Sequence, residues 1–450
     1  MRYVVGLTYL DDADDEQVAY FSTRTLTTKP SDTPDNVIVE DRIINPALVR
    51  RDIFDIGTTG GASRVGYGDL LLRNDDGELD WLLERPVDGR DLIIYISDNP
   101  VAAFPAGYTE LLRVTMDQPE GSQLDISMRI RDVQVIATRN LQLNLYGGTN
   151  VLPDGTDGII TDLKNKVKPI LYGRCFNVTP IWVNTSRNIY QVNDGPVRDV
   201  TAVYDSGSLL KHGLDYADEA DMLANTPTAG FFRVWKDGGM FRIGTSAAGQ
   251  VTCDAVEGEW PVDRTAAQIF YRLLTERAGI AGGSISATDL TALDAVQKAS
   301  IGFYAADPIT VADALDQIAT TVGAWWATDV AGTFRLVRLE VPSGTPAIEL
   351  TAEDFKKGSI KRLPLTENSL PTRQTTVRCV PNYTVQTQGL VDGVTAARRN
   401  RLASPYQDAT VVDAVIAERY RLSRERTVNT LFACLLAGNA EATRLQALHG

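Results

Sequence analysis

The stretch "NKVKPILYGRCFNVTPIWVNTSRNIYQVNDGPVRDVTAVYDSG", Asn165–Gly207, decides the fold class. It sets short apolar runs between evenly spaced turn residues and holds one cysteine and no histidine. Tyr190-Gln191-Val192 reads as a strand and Asn193-Asp194-Gly195-Pro196 as a turn. Val197, Val200 and Val203 mark the next strand, and Asp205-Ser206-Gly207 makes the next turn. The expected result is a meander, a scaffold pattern. "FFRVWKDGGMFRIG", Phe231–Gly244, continues it as a hairpin closed at Asp237-Gly238-Gly239.

Upstream the period is also two. In "LDISMRIRD", Leu124, Ile126, Met128 and Ile130 point one way while Asp125, Ser127, Arg129 and Arg131 point the other, as in a half-buried strand. Turns at Asp75-Asp76-Gly77 and Asp88-Gly89 separate apolar runs, so a β-sandwich or barrel is the simplest container. The Gly/Asp-rich "YGGTNVLPDGTDG", Tyr146–Gly158, reads as a loop or linker, and a domain boundary is placed there.

Helical spacing starts later. "DRTAAQIFYRLLTERAG" carries Ala266, Ile269, Phe270, Leu273 and Leu274 on one face, begins near Asp263 or Thr265 and stops at Gly279. "TVADALDQIATTVG" pairs Thr310 with Asp313 as a cap, stripes Val311, Ala314, Leu315, Ile318 and Val322, and ends at Gly323. "AWW" and the strand "GTFRLVRLEV" follow. "PTRQTTVRCVPNYTVQ" returns to strands, "TAARRNRLASPY" reads as a short helix, and "AEATRLQALHG" closes the chain as another.

The expectation is a mainly β, multidomain chain: tandem β-barrel or sandwich modules plus a small α+β domain. Its divisions are an N-terminal β-rich domain at 1–145, a second β-rich domain at 146–260 and an α+β domain at 261–345. A C-terminal β/α region at 346–450 ends as if truncated.

The 450 residues exceed one ordinary core, and 44% hydrophobic with 23% charged residues are globular values. A net charge of -14 opposes broad binding of a phosphate backbone, though it is compatible with DNA passing an acidic wall. No specific nucleic-acid binding is expected. Cys175, Cys253, Cys379 and Cys434 form no C-x-x-C pair, so they read as isolated thiols and not as a metal or disulfide framework. The start "MRYVVGLTYLDDADDEQ" lacks the pattern of a signal peptide, and no 18-residue uncharged run occurs, so synthesis in the cytoplasm and no membrane span are expected.

Catalytic constellations are sparse. The two histidines, His212 beside a turn and His449 next to the end, do not read as positioned bases. Glu257 and Glu259 in "VEGEW" are candidates for a two-carboxylate glycan hydrolase with Trp260 as a sugar platform; the alternative is a solvated edge. The glycines of "ATRNLQLNLYGG" and "TTGGASRVGYG" lack phosphate-loop spacing. Trp325-Trp326 reads as divided between core and a subunit contact, with a ligand platform as the sharper alternative. Arg50-Arg51 reads as a grip on an acidic neighbour or as a solvated strand end. Arg50, Arg51, Trp325 and Trp326 are therefore the candidate interface residues. No catalytic, cofactor or metal residue is assigned, and no enzyme activity is expected.

The run Pro46–Arg90, with "PALVRRDIF", "SRVGYGDLLLRNDDGELDWLL" and "DGR", joins "GPVRDVTAVYDSG", "FRIGTSAAGQVTCD" and "TVADALDQIATTVGAWW" in one order along nearly the whole chain. Together they resemble the tail-tip or baseplate hub proteins of long-tailed, siphovirus-like bacteriophages and prophages. The resemblance implies a ring-forming homo-oligomer at the virion tail tip, a trimer before a hexamer. In such a hub two tube-like β domains per chain match the six-fold tube. It implies contacts with distal tail or tube protein, tape measure, and fibre or spike. Some related tips hold an iron–sulfur cluster, but the scattered cysteines here depart from a compact ligand motif. The competing readings are an outer tail adhesin or carbohydrate-binding protein, marked by exposed Trp81, Trp235 or Trp260, and the glycan hydrolase.

Overall fold

The computed structural model describes residues 1–47, 49–52, 61–62, 64–99, 101–131, 133–329, 331–341, 344, 348–356, 358–359 and 370–449. The chain is mainly β and multidomain, with an α+β part, as the alternating and helical periods require.

The N-terminal part is an eight-stranded antiparallel sheet. Its order is Glu16–Ser22, Arg2–Leu10, Asp91–Ser97, Thr109–Met116, Asp125–Arg131, Asp69–Arg73 and Ile43–Asn45, with Glu120–Gly121 beside Asp125–Arg131. Strands from across the sheet feed one core that includes Val5, Phe21, Ile43, Leu70, Leu92, Val114 and Met128. The alternation in Asp125–Arg131 holds for Ile126, Met128 and Ile130, which are buried. Leu124 precedes the strand and is exposed.

The second β module packs two five-stranded sheets face to face. One runs Ser208–Leu209, Asp199–Asp205, Val251–Val256, Ile170–Val178, Gly302–Ala305; the other runs Ile181–Asn184, Ile189–Gln191, Met240–Ile243, Phe231–Trp235, Lys211–His212. Cys175, Val200, Val203 and Cys253 of the first meet Tyr190, Phe232, Phe241 and Ile243 of the second. The expected meander is corrected here. Ile189–Gln191 and Asp199–Asp205 lie in different sheets, so the Asn193–Pro196 turn crosses between layers where a hairpin turn would have kept both strands in one. The hairpin at Asp237–Gly239 stands.

Of the two readings of Tyr146–Gly158, loop and linker, the structure shows a loop held on the β module. Tyr146 is buried and donates its hydroxyl to Gln191 Oε1 at 2.6 Å. Asn150 donates to Val183 O at 2.7 Å, and Asn184 donates to Pro153 O at 2.9 Å and Gly155 O at 2.8 Å. The turn chemistry builds a strapped loop on the β module, because side-chain amides satisfy the loop carbonyls that a linker would leave to water.

Both helices predicted between Asp263 and Gly323 form. Ala266–Arg272 is capped by Thr265 and continues as a π-helical turn, Leu273–Arg277, before Gly279 at φ 73°. Val311–Thr321 has the Thr310/Asp313 capping box. These helices, Ala287–Val296 and the hairpin Ala324–Thr328/Phe334–Arg338 share a core with Ile170, Tyr172, Leu431 and Phe432. Gly61–Ala62 pairs in parallel with Ala324–Thr328, which ties the N-terminal part to this core. In the C-terminal region Gln407–Val412 and Arg424–Asn429 flank Thr372–Cys379, and the helix Leu435–His449 packs on them. Glu441, 1% exposed, anchors that helix by accepting from Arg338 Nη2 at 2.6 Å and Arg444 Nε at 3.0 Å.

Strand Gly302–Ala305 comes from the α+β stretch but belongs to the β sandwich. Gly173 pairs with Gly302. A Cβ on Gly173 would fall 2.1 Å from Ile301 O, and one on Gly302 would fall 1.9 Å from Arg174 O. Glycine is therefore required on both sides of this crossing.

Gly302→Ala is expected to destabilise the chain by about 1–3 kcal/mol or more through overpacking against backbone. Gly283→Ala, with open space around its Cβ site, should stay within about 0.5 kcal/mol. Denaturant melts of the two variants check this. A second expectation concerns pH. Burial, then the charges of Arg426 and Arg444, lower His449 to about 4. Since the unfolded state takes the proton first, docking of the last helix is intact above about pH 6.5 and weakens as the pH falls toward 4. Amide exchange in Leu435–His449, corrected for intrinsic rate, should be faster at pH 5 than at pH 7, and His449→Gln should remove the difference.

Candidate functional site

The residues singled out from sequence do not converge. Trp326 is 2% exposed, donates its indole N–H to Asp316 Oδ1 at 2.6 Å and stacks on Phe334 at 6.5 Å, so it is a core residue with no surface for a neighbouring chain. Its neighbour Trp325 is half-buried. Arg50 and Arg51 lie in the strand Val49–Asp52, opposite Gly66 and Val65; their side chains lie outside the described residues. Trp81 packs against Tyr9 at 4.8 Å and Trp235 against a buried cluster. Trp260 stands 64% exposed, and Trp182, not singled out from sequence, 45%.

Glu257 is a structural anchor. One edge of Arg272 grips both its carboxylate oxygens, the Nη2–Oε2 distance being 3.0 Å, and Gly173 N donates to Oε2 at 3.1 Å. Arg272 also stands over the Tyr172 ring at 4.9 Å, and the Tyr172 hydroxyl meets Glu276 at 2.9 Å. The helix Ala266–Arg272 is thereby tied to strand Ile170–Val178. Glu259 is exposed and faces Arg198 at 3.6 Å. The two carboxylates sit in separate ion pairs, Glu257 with Arg272 and Glu259 with Arg198.

The thiols divide among cores. Burial pushes Cys175 and Cys253 well up, and pushes Cys379 up to about 11, with Cys434 adding to the last. Cys175 and Cys253 share the sandwich core while Cys379 lies in another, so four thiol ligands do not gather at one point. Among the described residues, the group whose ligand atoms do gather is Asp199, His212 and Asp215, within 4.8 Å of one another. His212 stacks on Phe232 at 4.5 Å and meets Asp215 Oδ1 at 2.9 Å; Lys236 Nζ lies 2.7 Å from Asp215 Oδ2. Burial opposes ionisation of Asp215, but Lys236 and His212 outweigh it and the net direction is down.

Beside it lies a basic cleft of about 390 Å³, lined by Arg174, Arg198, Lys236 and Arg264 with Asp199 as its acid, and joined by a second of about 480 Å³ that reaches Glu257 and Glu259. The register explains the gathering. Val256 pairs with both Arg174 and Asp199, so one row of the sheet carries them across its outer face, opposite the Cys175/Cys253 core. Arg264 arrives from the start of the neighbouring helix and donates Nη2 to Gly258 O at 2.8 Å. Burial lowers Arg264, and the nearby Arg174 and Arg198 charges push the same way. On a chain of net charge -14 this concentration of cations suits an anionic or acidic partner. No sequence signal marked it, since its residues lie 24 or more positions apart or on turns, never in a basic run.

No family model and no curated protein matches the chain. Among solved structures, a chain of the virion of a native gene transfer agent particle is similar at 12% identity, over 61% of this chain and 85% of that chain, with a TM-score of 0.21. A likeness that loose bears on neither fold nor function.

Proposed function

We propose that the chain is a virion structural subunit: a ring-forming hub of a phage-type tail tip or baseplate that closes the tail tube and connects it to receptor-binding or spike proteins. The family reading comes from the sequence resemblance. The structural observation that supports an assembly role is the strapped loop. Leu143, Leu145, Val151, Leu152 and Ile160 are all more than 40% exposed on a segment that Tyr146, Asn150, Asn184 and Arg187 hold rigid. Exposed apolar side chains on a pre-ordered loop lose little entropy on docking and gain burial there, which is the economy of a subunit interface.

In this reading the protein acts mechanically and has no catalytic centre. Copies of the chain, three before six, meet through such surfaces and hold tube protein above and fibre or spike below. The tape measure and DNA pass when the ring opens. The basic cleft receives an acidic neighbour. An outer adhesin is the second reading, favoured by the exposed indoles of Trp260 and Trp182.

Imaging of purified particles tests this. Three copies at the tail end support the hub, six make the chain an adaptor ring, and absence from any particle ends the virion reading. In parallel, Val151→Asp and Ile160→Asp should leave the fold melting as wild type but abolish incorporation into particles, read by mass spectrometry of the virion. Normal incorporation of both variants would remove the loop from the interface.

A further inference from the structure

The basic cleft of about 390 Å³ on the outer face of the sandwich presents open donors. Arg174 is exposed, its guanidinium lies over the Phe176 ring at 5.0 Å, and among the described residues it meets no carboxylate. The Arg198 side chain is 50% exposed, and the acid beside it, Glu259, stands at 3.6 Å, beyond hydrogen-bond reach. Arg264 is turned to the carbonyls of Glu257 and Gly258, and Lys236 to Asp215. These two add charge, while Arg174 and Arg198 keep N–H groups that a guest can reach. A partner that brings carboxylates here gains paired contacts and relieves the repulsion among the cations.

The chain carries a counterpart on its first hairpin. Strands Arg2–Leu10 and Glu16–Ser22 pair as far as Leu10 opposite Glu16, at the edge of the eight-stranded sheet. Of the six residues Asp11–Glu16 that turn this hairpin, all but Ala13 are acids. The tip is pre-ordered: Asp11 Oδ1 accepts from Ala13 N at 2.9 Å and Asp15 N at 3.0 Å, Asp11 N donates to Asp15 O at 3.0 Å, and Asp14 takes φ 61°. Asp12 is held by Arg85 Nη2 at 2.7 Å. Asp14, Asp15 and Glu16 are exposed, and among the described residues their carboxylates have no partner. The other acidic turns are engaged within the chain. Asp76 pairs with Arg42 at 2.7 Å and Asp80 accepts from Asn74 at 2.7 Å, while Asp215 meets Lys236 and Glu219 accepts from Thr156 at 2.6 Å.

We propose that copies of this chain join head to tail, the acidic hairpin tip Asp11–Glu16 of one copy seated in the basic cleft of the next. Carboxylates of Asp14, Asp15 and Glu16 take the open donors of Arg174 and Arg198, and Lys236 and Arg264 strengthen the field around them. No residue of the tip lines the cleft of its own chain, so the carboxylates arrive from a second copy. Each copy then offers one cleft and one tip. A contact between two different surfaces is heterologous, and contacts of that kind close into rings when the rotation between copies allows it. The inference rests on the ring-forming reading above and supplies the pair of surfaces that it needs.

Sedimentation velocity of the full chain tests it. The wild type is expected to associate at about 0.02 M salt and to do so roughly tenfold more weakly at about 0.5 M, where exposed charges are screened. A cleft variant, Arg174→Glu with Arg198→Glu, and a tip variant, Asp15→Lys with Glu16→Lys, are each expected to stay monomeric. Mixed in equal amounts they should pair again, because the tip of the first still fits the cleft of the second. Thermal melts establish that each variant folds, and should one not fold, loss of association in the other carries the test. Association that neither variant diminishes overturns this contact and leaves a ring-forming chain. Association lost in the cleft variant but kept in the tip variant also overturns it, and gives the cleft to a different acidic segment. A wild type that stays monomeric at about 0.1 mM in low salt overturns it as well, since a Kd below that value would show. The ring reading itself is then decided by the particle images.

Discussion

The contact on which the rest of the structure depends is the crossing of Gly173 and Gly302. Two backbones meet there with no room for a Cβ on either side. Through it a strand from the helical region becomes the edge of the β sandwich. Tyr172, Arg272 and Glu257 close the same seam with stacking and a paired edge-on ion pair. Modules joined by a shared sheet are held by backbone hydrogen bonds as well as by side-chain packing, which a flexible linker does not provide.

That seam also sets the electrostatics. An acidic chain would be expected to present acidic surfaces throughout, yet the outer face of the Ile170–Val178, Val251–Val256, Asp199–Asp205 sheet gathers arginines at both ends. Arg174, Arg198 and Arg264 line one pocket and Arg398 and Arg401 another. Three regions of sequence contribute, and each arrives there because a different element docks on the sheet. Cations brought together in this way repel one another, and burial of Arg264 and Arg401 disfavours their charge further. At the first pocket, which is open, an anionic group from outside the chain would relieve both terms.

The strapped loop follows a related logic. Tyr146–Gly158 carries the composition of a mobile connector, but buried Tyr146 and the Asn184 amide hold it against the sandwich. A rigid base then displays Val151 and Ile160 to solvent. Rigidity and exposed apolar area together suit the assembly role proposed above.

Local features were legible from the sequence. The Thr310/Asp313 cap, the stops at Gly279 and Gly323, the Asp237–Gly239 hairpin and the alternation of Ile126, Met128 and Ile130 depend on neighbours within a few residues, so spacing alone determines them. The β-dominated class followed from the same periods. Which sheet each strand joins did not, because a turn such as Asn193–Pro196 has the same composition whether it reverses a strand within one layer or passes it to the next. The fate of Trp326, the tethering of Glu257 and the convergence of Arg174, Arg198, Arg264, Arg398 and Arg401 were decided only in three dimensions. Those contacts depend on how whole elements pack, as where Gly173 meets Glu257 84 positions on, and one-dimensional spacing carries no information about which elements will meet.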